Sequence, residues 1–341
     1  MTFHATAYAA SQDPASAAQQ LHAPSQVCER SSRLIRLLPQ HAQTSREVCV
    51  NFLRIGAAHA PVVVVQGGIS AGRDACSSAE HAGQGWWQEQ VGAGYAIDLR
   101  QYQVLAIDWL AAGDLDAPAV SSFDQAEALA GLLDALHIER VHAYVGASYG
   151  GMVGLAFAAR HGRRLGRLLA IAGAHRADPL AGAQRAVQRN MVRFGLETGH
   201  VDEALSLARQ LAMTTYRGSE EFRQRFSGDA EFRDGRFHLP AEDWLAHAGA
   251  RFVERFDARR YLSLSESIDL HSVQPAQIKV PVSLIGIASD RVVPLADLCA
   301  LQRGLGSGAS LSVIESPYGH DAFLKETAQL APLLREFLQS P

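Results

Sequence analysis

Cysteine is scarce in this sequence: only Cys28, Cys49, Cys76 and Cys299 occur in 341 residues, far apart and never as CxxC or CxxH. That spacing excludes a zinc cage and a disulfide framework, and it points to a reducing cytoplasm. Long apolar runs are also missing, so no segment is expected to span a bilayer. The first residues, MTFHATAYAASQDPASAAQQ, lack the basic start and apolar block of a signal peptide, so a soluble, unexported protein is expected. Neither charge sign dominates: 31 Lys and Arg stand against 35 Asp and Glu, a net charge of −4. Such a balance provides no broad field for nucleic acid or an anionic membrane, and neither is expected as a partner.

What is present is a strand, turn and helix grammar. Residues 1–29 are rich in Ala, Ser, Gln and Pro without periodicity and read as a disordered tail. Residues 33–38 and 48–55 then read as an antiparallel pair at a sheet edge. Apolar runs at 61–65, 104–108, 141–145, 168–172, 281–287 and 310–314 read as buried parallel strands. Ser122 and Gln125 offer a capping box to the helix carrying Leu129, Leu132, Leu133 and Leu136. The expected fold class is α/β, a mostly parallel doubly wound sheet. Helical periodicity takes over from 175 to 272, read as an inserted lid, so the core is assigned to 30–174 and 273–341. The tryptophans at 86 and 87 read as a cap on the core.

The chemistry centres on Gly146-Ala-Ser148-Tyr149-Gly150, where a buried strand stops and a small-residue helix begins. A serine between two glycines in that setting is a nucleophile elbow, a strained turn that lifts the hydroxyl clear of the sheet. Such a nucleophile needs a base, and the base needs a carboxylate to hold its tautomer. Asp290 and His320 each follow a buried strand, in the order Ser, Asp, His, at the strand ends where ligands of open α/β sheets gather. His142, His161 and His175 have no paired strand-end acid. The loop Gln66-Gly67-Gly68-Ile69 lacks the Gly-Lys-Ser/Thr of a phosphate loop, and its free N–H groups suit an oxyanion hole. Arg185, Arg189 and Arg193 fall at i, i+4 and i+8 on one face of a helix. That spacing fits both a carboxylate fork and a solvated basic face.

The motifs GASYGGM, LAMTTYRGSEEFRQRFSG, ASDRVVP and YGHDAFL together resemble the homoserine O-acyltransferases of the α/β-hydrolase superfamily, from residue 33 to the C-terminus. The resemblance implies an α/β-hydrolase fold and a triad of Ser148, Asp290 and His320. It also implies oxyanion donors at the backbone N–H of Tyr149 and Gly68, and a homodimer. No resident cofactor is implied, acyl-CoA being the co-substrate of a ping-pong transfer to the homoserine hydroxyl in methionine biosynthesis. Arg189 is matched to the family's carboxylate-binding arginine, Arg185 is its alternate, and Asp321 is the candidate for the acceptor ammonium. Tyr149 and Gln-Gly-Gly-Ile depart from the commoner family pattern beside the acyl group. The donor therefore stays open between acetyl and succinyl, and L-serine O-succinyl transfer and an esterase or lactonase with the same triad stand as alternatives.

Overall fold

The computed structural model describes residues 26–340. Eight strands form one sheet: β1 (Gln26–Leu37), β2 (Arg46–Ala57), β3 (Val62–Gln66), β4 (Gln103–Ile107), β5 (Val141–Ala147), β6 (Leu165–Ile171), β7 (Val282–Ile287) and β8 (Ala309–Ile314), in the spatial order β1-β2-β4-β3-β5-β6-β7-β8. β2 is antiparallel to both β1 and β4, and every other neighbouring pair is parallel. Most of the expected tail lies outside the described residues, but 26–29 belong to β1, paired through Gln26↔Ala57. The long register with β2 recruits them although their composition shows no apolar pattern.

The four valines of β3 explain why that strand is central. Val62 and Val64 join the core on one face of the sheet, while Val63 and Val65 join the core on the other. Each such side chain contributes about 1.5–2 kcal/mol by leaving water, and a strand apolar on both sides is stable only between two helical layers. One layer holds α1 (Ser122–Ala135) and α2 (Tyr149–His161). α1 starts one residue earlier than the capping reading: the N-cap is Ser121, whose Oγ accepts the N–H of Asp124 while Asp124 Oδ2 accepts that of Ser121. Ser122 instead meets Nδ1 of buried His271 at 2.7 Å.

Between β6 and β7 the chain leaves the sheet for five helices, α3 (Pro179–Thr198), α4 (Val201–Tyr216), α5 (Ser219–Arg225), α6 (Pro240–Val253) and α7 (Ala258–Leu270). An exposed hairpin, Glu231–Arg233 with Arg236–His238, interrupts them. α3 opens on Asp178, whose carboxylate accepts the N–H of Ala181, and ends at Gly199 in the left-handed region. The insertion has its own small core of Val192, Leu205, Ala208, Phe252, Ala258 and Tyr261. Two helices return to the sheet: α8 (Leu295–Leu305), which the sequence pattern did not mark, and α10 (Thr327–Gln339), with the single turn α9 (Ala322–Lys325) before it.

Candidate active site

Ser148 follows the last residue of β5 with φ 56° and ψ −121°, an arrangement that a side chain tolerates only when its surroundings enforce it. Here they do. The Ser148 N–H donates to the carbonyl of Ile171 at 2.8 Å, and Gly150 N–H to that of Gly67 at 2.9 Å. A Cβ at position 146 would lie 2.3 Å from the Gly150 oxygen, and one at 150 would lie 2.3 Å from the Gln66 oxygen. Only glycine lets the elbow pack this closely against the β3 loop.

The structure brings the other two strand-end residues to that hydroxyl. Ser148 Oγ lies 2.8 Å from His320 Nε2, and His320 Nδ1 lies 2.7 Å from Asp290 Oδ2. The remaining Asp290 oxygen accepts the backbone N–H groups of Val292 and Val293, fixing the carboxylate. Burial alone would lower the His320 pKa. The Asp290 charge and hydrogen bond, with a smaller contribution from Asp321, more than offset this and hold it above the ordinary 6.5. Gly319, at φ +58°, permits the turn that aims the ring, and a Cβ there would sit 2.5 Å from the Tyr216 carbonyl at the end of α4.

Among the described residues no acceptor takes the N–H of Tyr149 or of Gly68, the two expected oxyanion donors. Gly68 faces the nucleophile directly: the nearest atoms to a Cβ built there are Cβ and Oγ of Ser148, both at 3.9 Å. Trp109, which sequence reading passed over, holds this loop by donating from Nε1 to the Gly68 carbonyl at 3.0 Å, and its ring packs edge-on against Tyr149 at 5.0 Å. The unusual tyrosine of the elbow is thereby explained. Its hydroxyl meets Ser267 of α7 at 2.6 Å, tying the elbow to the insertion, and burial raises its pKa well above the ordinary phenol value.

These groups open on a cavity of about 190 Å³ lined by the sheet loops and by α3, α4, α6 and α7. Arg185 and Asp321 line it, but Arg189 does not. The helical face shared by the two arginines packs on α7, where a single carboxylate, Asp269, takes both: Arg185 at 2.6 Å and Arg189 at 2.6 Å. Arg189 also donates to the carbonyl and hydroxyl of Ser265, so it braces two helices instead of facing a ligand. Arg193, one turn on, is exposed, 3.9 Å from Glu266. Asp321 sits 2.9 Å from Nε of Arg217, whose other end chelates Glu221. Arg217 lies inside the TTYRGSEEF stretch, which was the signal available for it. The tryptophan pair divides: Trp87 is core, while Trp86 lines the cavity. Among the described residues no cluster of His, Cys, Asp and Glu could hold a metal, and no helix is long and apolar enough to cross a membrane.

Comparison with known proteins agrees with this architecture. Residues 61–327 match the family model of the alpha/beta hydrolase fold. The homoserine O-succinyltransferase of Xanthomonas campestris pv. campestris is 48% identical over 90% of this chain and 83% of its own length. The homoserine O-acetyltransferase of Moorella thermoacetica is 31% identical over 75% and 79%. The crystal structure of homoserine O-acetyltransferase from Bacillus anthracis superposes with a TM-score of 0.83 at 18% identity, covering 92% of this chain and 98% of that one. On sequence and architecture together, the chain belongs to the homoserine O-acyltransferase family of enzymes within the α/β-hydrolase fold.

Proposed function

We propose that this chain transfers an acyl group from acyl-CoA, succinyl-CoA or acetyl-CoA, to the hydroxyl of L-homoserine in a ping-pong cycle, an activation step of methionine biosynthesis in the cytoplasm. The observation that carries the reading is the continuous Asp290–His320–Ser148 hydrogen-bonded chain at the cavity. The 48% identity to a homoserine O-succinyltransferase supports the acceptor. His320 Nε2 takes the Ser148 proton as Oγ adds to the thioester carbonyl. The resulting oxyanion is held by the N–H groups of Tyr149 and Gly68, and its collapse breaks the C–S bond. The thiolate leaves with the proton from His320. The acceptor hydroxyl then gives its proton to the same nitrogen, attacks the acyl-serine, and the proton returns to Ser148. Asp321 is the acid for the acceptor ammonium, and Arg185 replaces Arg189 as the cation for its carboxylate, because Arg185 lines the cavity.

The test is a matrix of two donors by two acceptors, with thiol release measured with and without L-homoserine and L-serine. Homoserine should accelerate release severalfold, with O-acylhomoserine as product. Equal release with and without amino acid would make the protein a thioesterase and end the transferase reading. We also infer a homodimer, supported by the exposed row Leu180, Val187 and Phe194 at seven-residue intervals on α3, with Leu207 exposed on α4.

A further inference from the structure

Three guanidinium groups gather where α3, α4 and α7 meet, Arg185 and Arg209 on the cavity wall and Arg189 off it, and one carboxylate, Asp269, pairs with two of them. Asp269 is consumed by Arg185 and Arg189 together, which leaves one positive charge uncompensated before the third is counted. The third is Arg209 of α4, which lines the same cavity and, among the described residues, contacts the rings of Tyr216 and Phe252 without a side-chain hydrogen bond or ion pair. Its guanidinium carbon lies 5.5 Å from the ring centroid of Tyr216 and 4.9 Å from that of Phe252, so two aromatic faces hold it and leave its in-plane N–H donors unused. Tyr216 in turn stands 5.8 Å from the His320 ring, which puts the free guanidinium one aromatic ring away from the catalytic base. Of the two acids that line the cavity, Asp178 is occupied in capping α3, and Asp321 is paired with Arg217 at 2.9 Å. A partly buried, unpaired guanidinium beside an existing excess of positive charge is electrostatically incomplete until an anion arrives.

We propose that Arg209 binds a substrate carboxylate inside this cavity, a further inference that rests on the transferase reading above. Two carboxylates are available in that chemistry: the distal one of a dicarboxylic acyl group such as succinyl, and that of the amino-acid acceptor. A planar guanidinium held between rings presents a two-pronged edge, the geometry that grips either one. An acetyl group has no charge to place there. A donor carrying a terminal carboxylate would neutralise Arg209, while the acceptor's own carboxylate goes to Arg185.

The experiment compares the wild type with Arg209→Met, which keeps the aliphatic bulk between Tyr216 and Phe252, and with Arg209→Lys, which keeps the charge. Acylation is followed by thiol release and intact mass with succinyl-CoA and with acetyl-CoA, without acceptor; deacylation is then titrated with homoserine. If the acyl carboxylate is the ligand, Arg209→Met lowers the ratio of succinyl to acetyl kcat/KM about 10- to 100-fold, and Arg209→Lys restores part of it. If the acceptor carboxylate is the ligand, the donor ratio stays and the KM for homoserine rises by a similar factor with either donor. Both outcomes support a carboxylate-binding Arg209. A donor ratio and a homoserine KM both unchanged in a folded Arg209→Met protein would overturn the proposal and leave Arg209 as a packing group. Wild-type protein that forms no acyl adduct from either donor would instead overturn the transferase reading itself.

Discussion

Ser148 pays for its exposure with a backbone conformation that nothing local favours, and the structure supports that strain from three sides: β6, the β3 loop and the start of α2. Ser148→Ala should therefore fold normally while transfer falls by on the order of 10⁴-fold or more, with no acyl adduct in intact-mass analysis. An adduct surviving in the variant would move the nucleophile elsewhere. The elevated pKa of His320 sets the pH response. The base must be neutral to accept the serine proton, so acylation should rise with pH through an inflection above 6.5. Asp290→Asn removes the main charge that raises it and leaves burial opposed only by the weaker influence of Asp321. Its inflection should shift downward while the plateau drops by roughly 10³–10⁴-fold. An inflection at the same pH in both proteins would assign the titration to another group. Combined with His320→Ala, the loss should not multiply, because a carboxylate that acts only through the ring has nothing left to act on.

At the scale of elements, the eight strands and the two loops bearing Asp290 and His320 were legible because apolar runs, alternation at the antiparallel edge and strand-end placement leave marks in a linear sequence, although β8, read as a buried strand, is a half-exposed edge strand. The insertion was legible only as helix. Helical spacing correctly puts Arg185 and Arg189 on one face, but spacing carries no information about what that face meets, and here it meets Asp269 of α7, some eighty residues on. The same limit hid Trp109, whose role depends on a tertiary contact with the Gly68 carbonyl. The arginine cluster joins α3 to α7, which gives it a stability signature in addition to the place of Arg185 on the cavity wall. Asp269→Asn leaves two buried guanidinium groups without their counter-charge and should cost about 2–4 kcal/mol in urea unfolding, the partial exposure of the carboxylate reducing the full buried-pair penalty. Arg193→Ala, on the exposed turn of the same face, should cost no more than about 0.5 kcal/mol. Equal costs for the two substitutions would mean that the cluster is a solvated basic face after all.

The whole molecule is a sheet domain whose reactive loops are roofed by an insertion, and the outer surface of that roof carries the apolar row on α3. Leu180, Val187 and Phe194 are each about half exposed or more, although the inner side of the same helix is packed. If two copies meet through this face, six such side chains, each about half exposed beforehand, leave water and yield roughly 5–9 kcal/mol, comparable to the ~4–15 kcal/mol lost on association, so such an interface would have little margin. A single charged substitution at its far end should be decisive. Phe194→Glu forfeits about 2–3 kcal/mol of apolar burial and adds the cost of desolvating a carboxylate, weakening the dimer by about 30- to 150-fold or more. Sedimentation at micromolar concentration should give a dimer for the wild type and a monomer for the variant. Acylation should persist in the monomer, because Ser148, His320 and Asp290 all come from one chain and Phe194 does not line the cavity. A wild type that sediments as a monomer, or a variant that remains dimeric, would exclude this face as the contact and leave the exposed row on α3 without a partner.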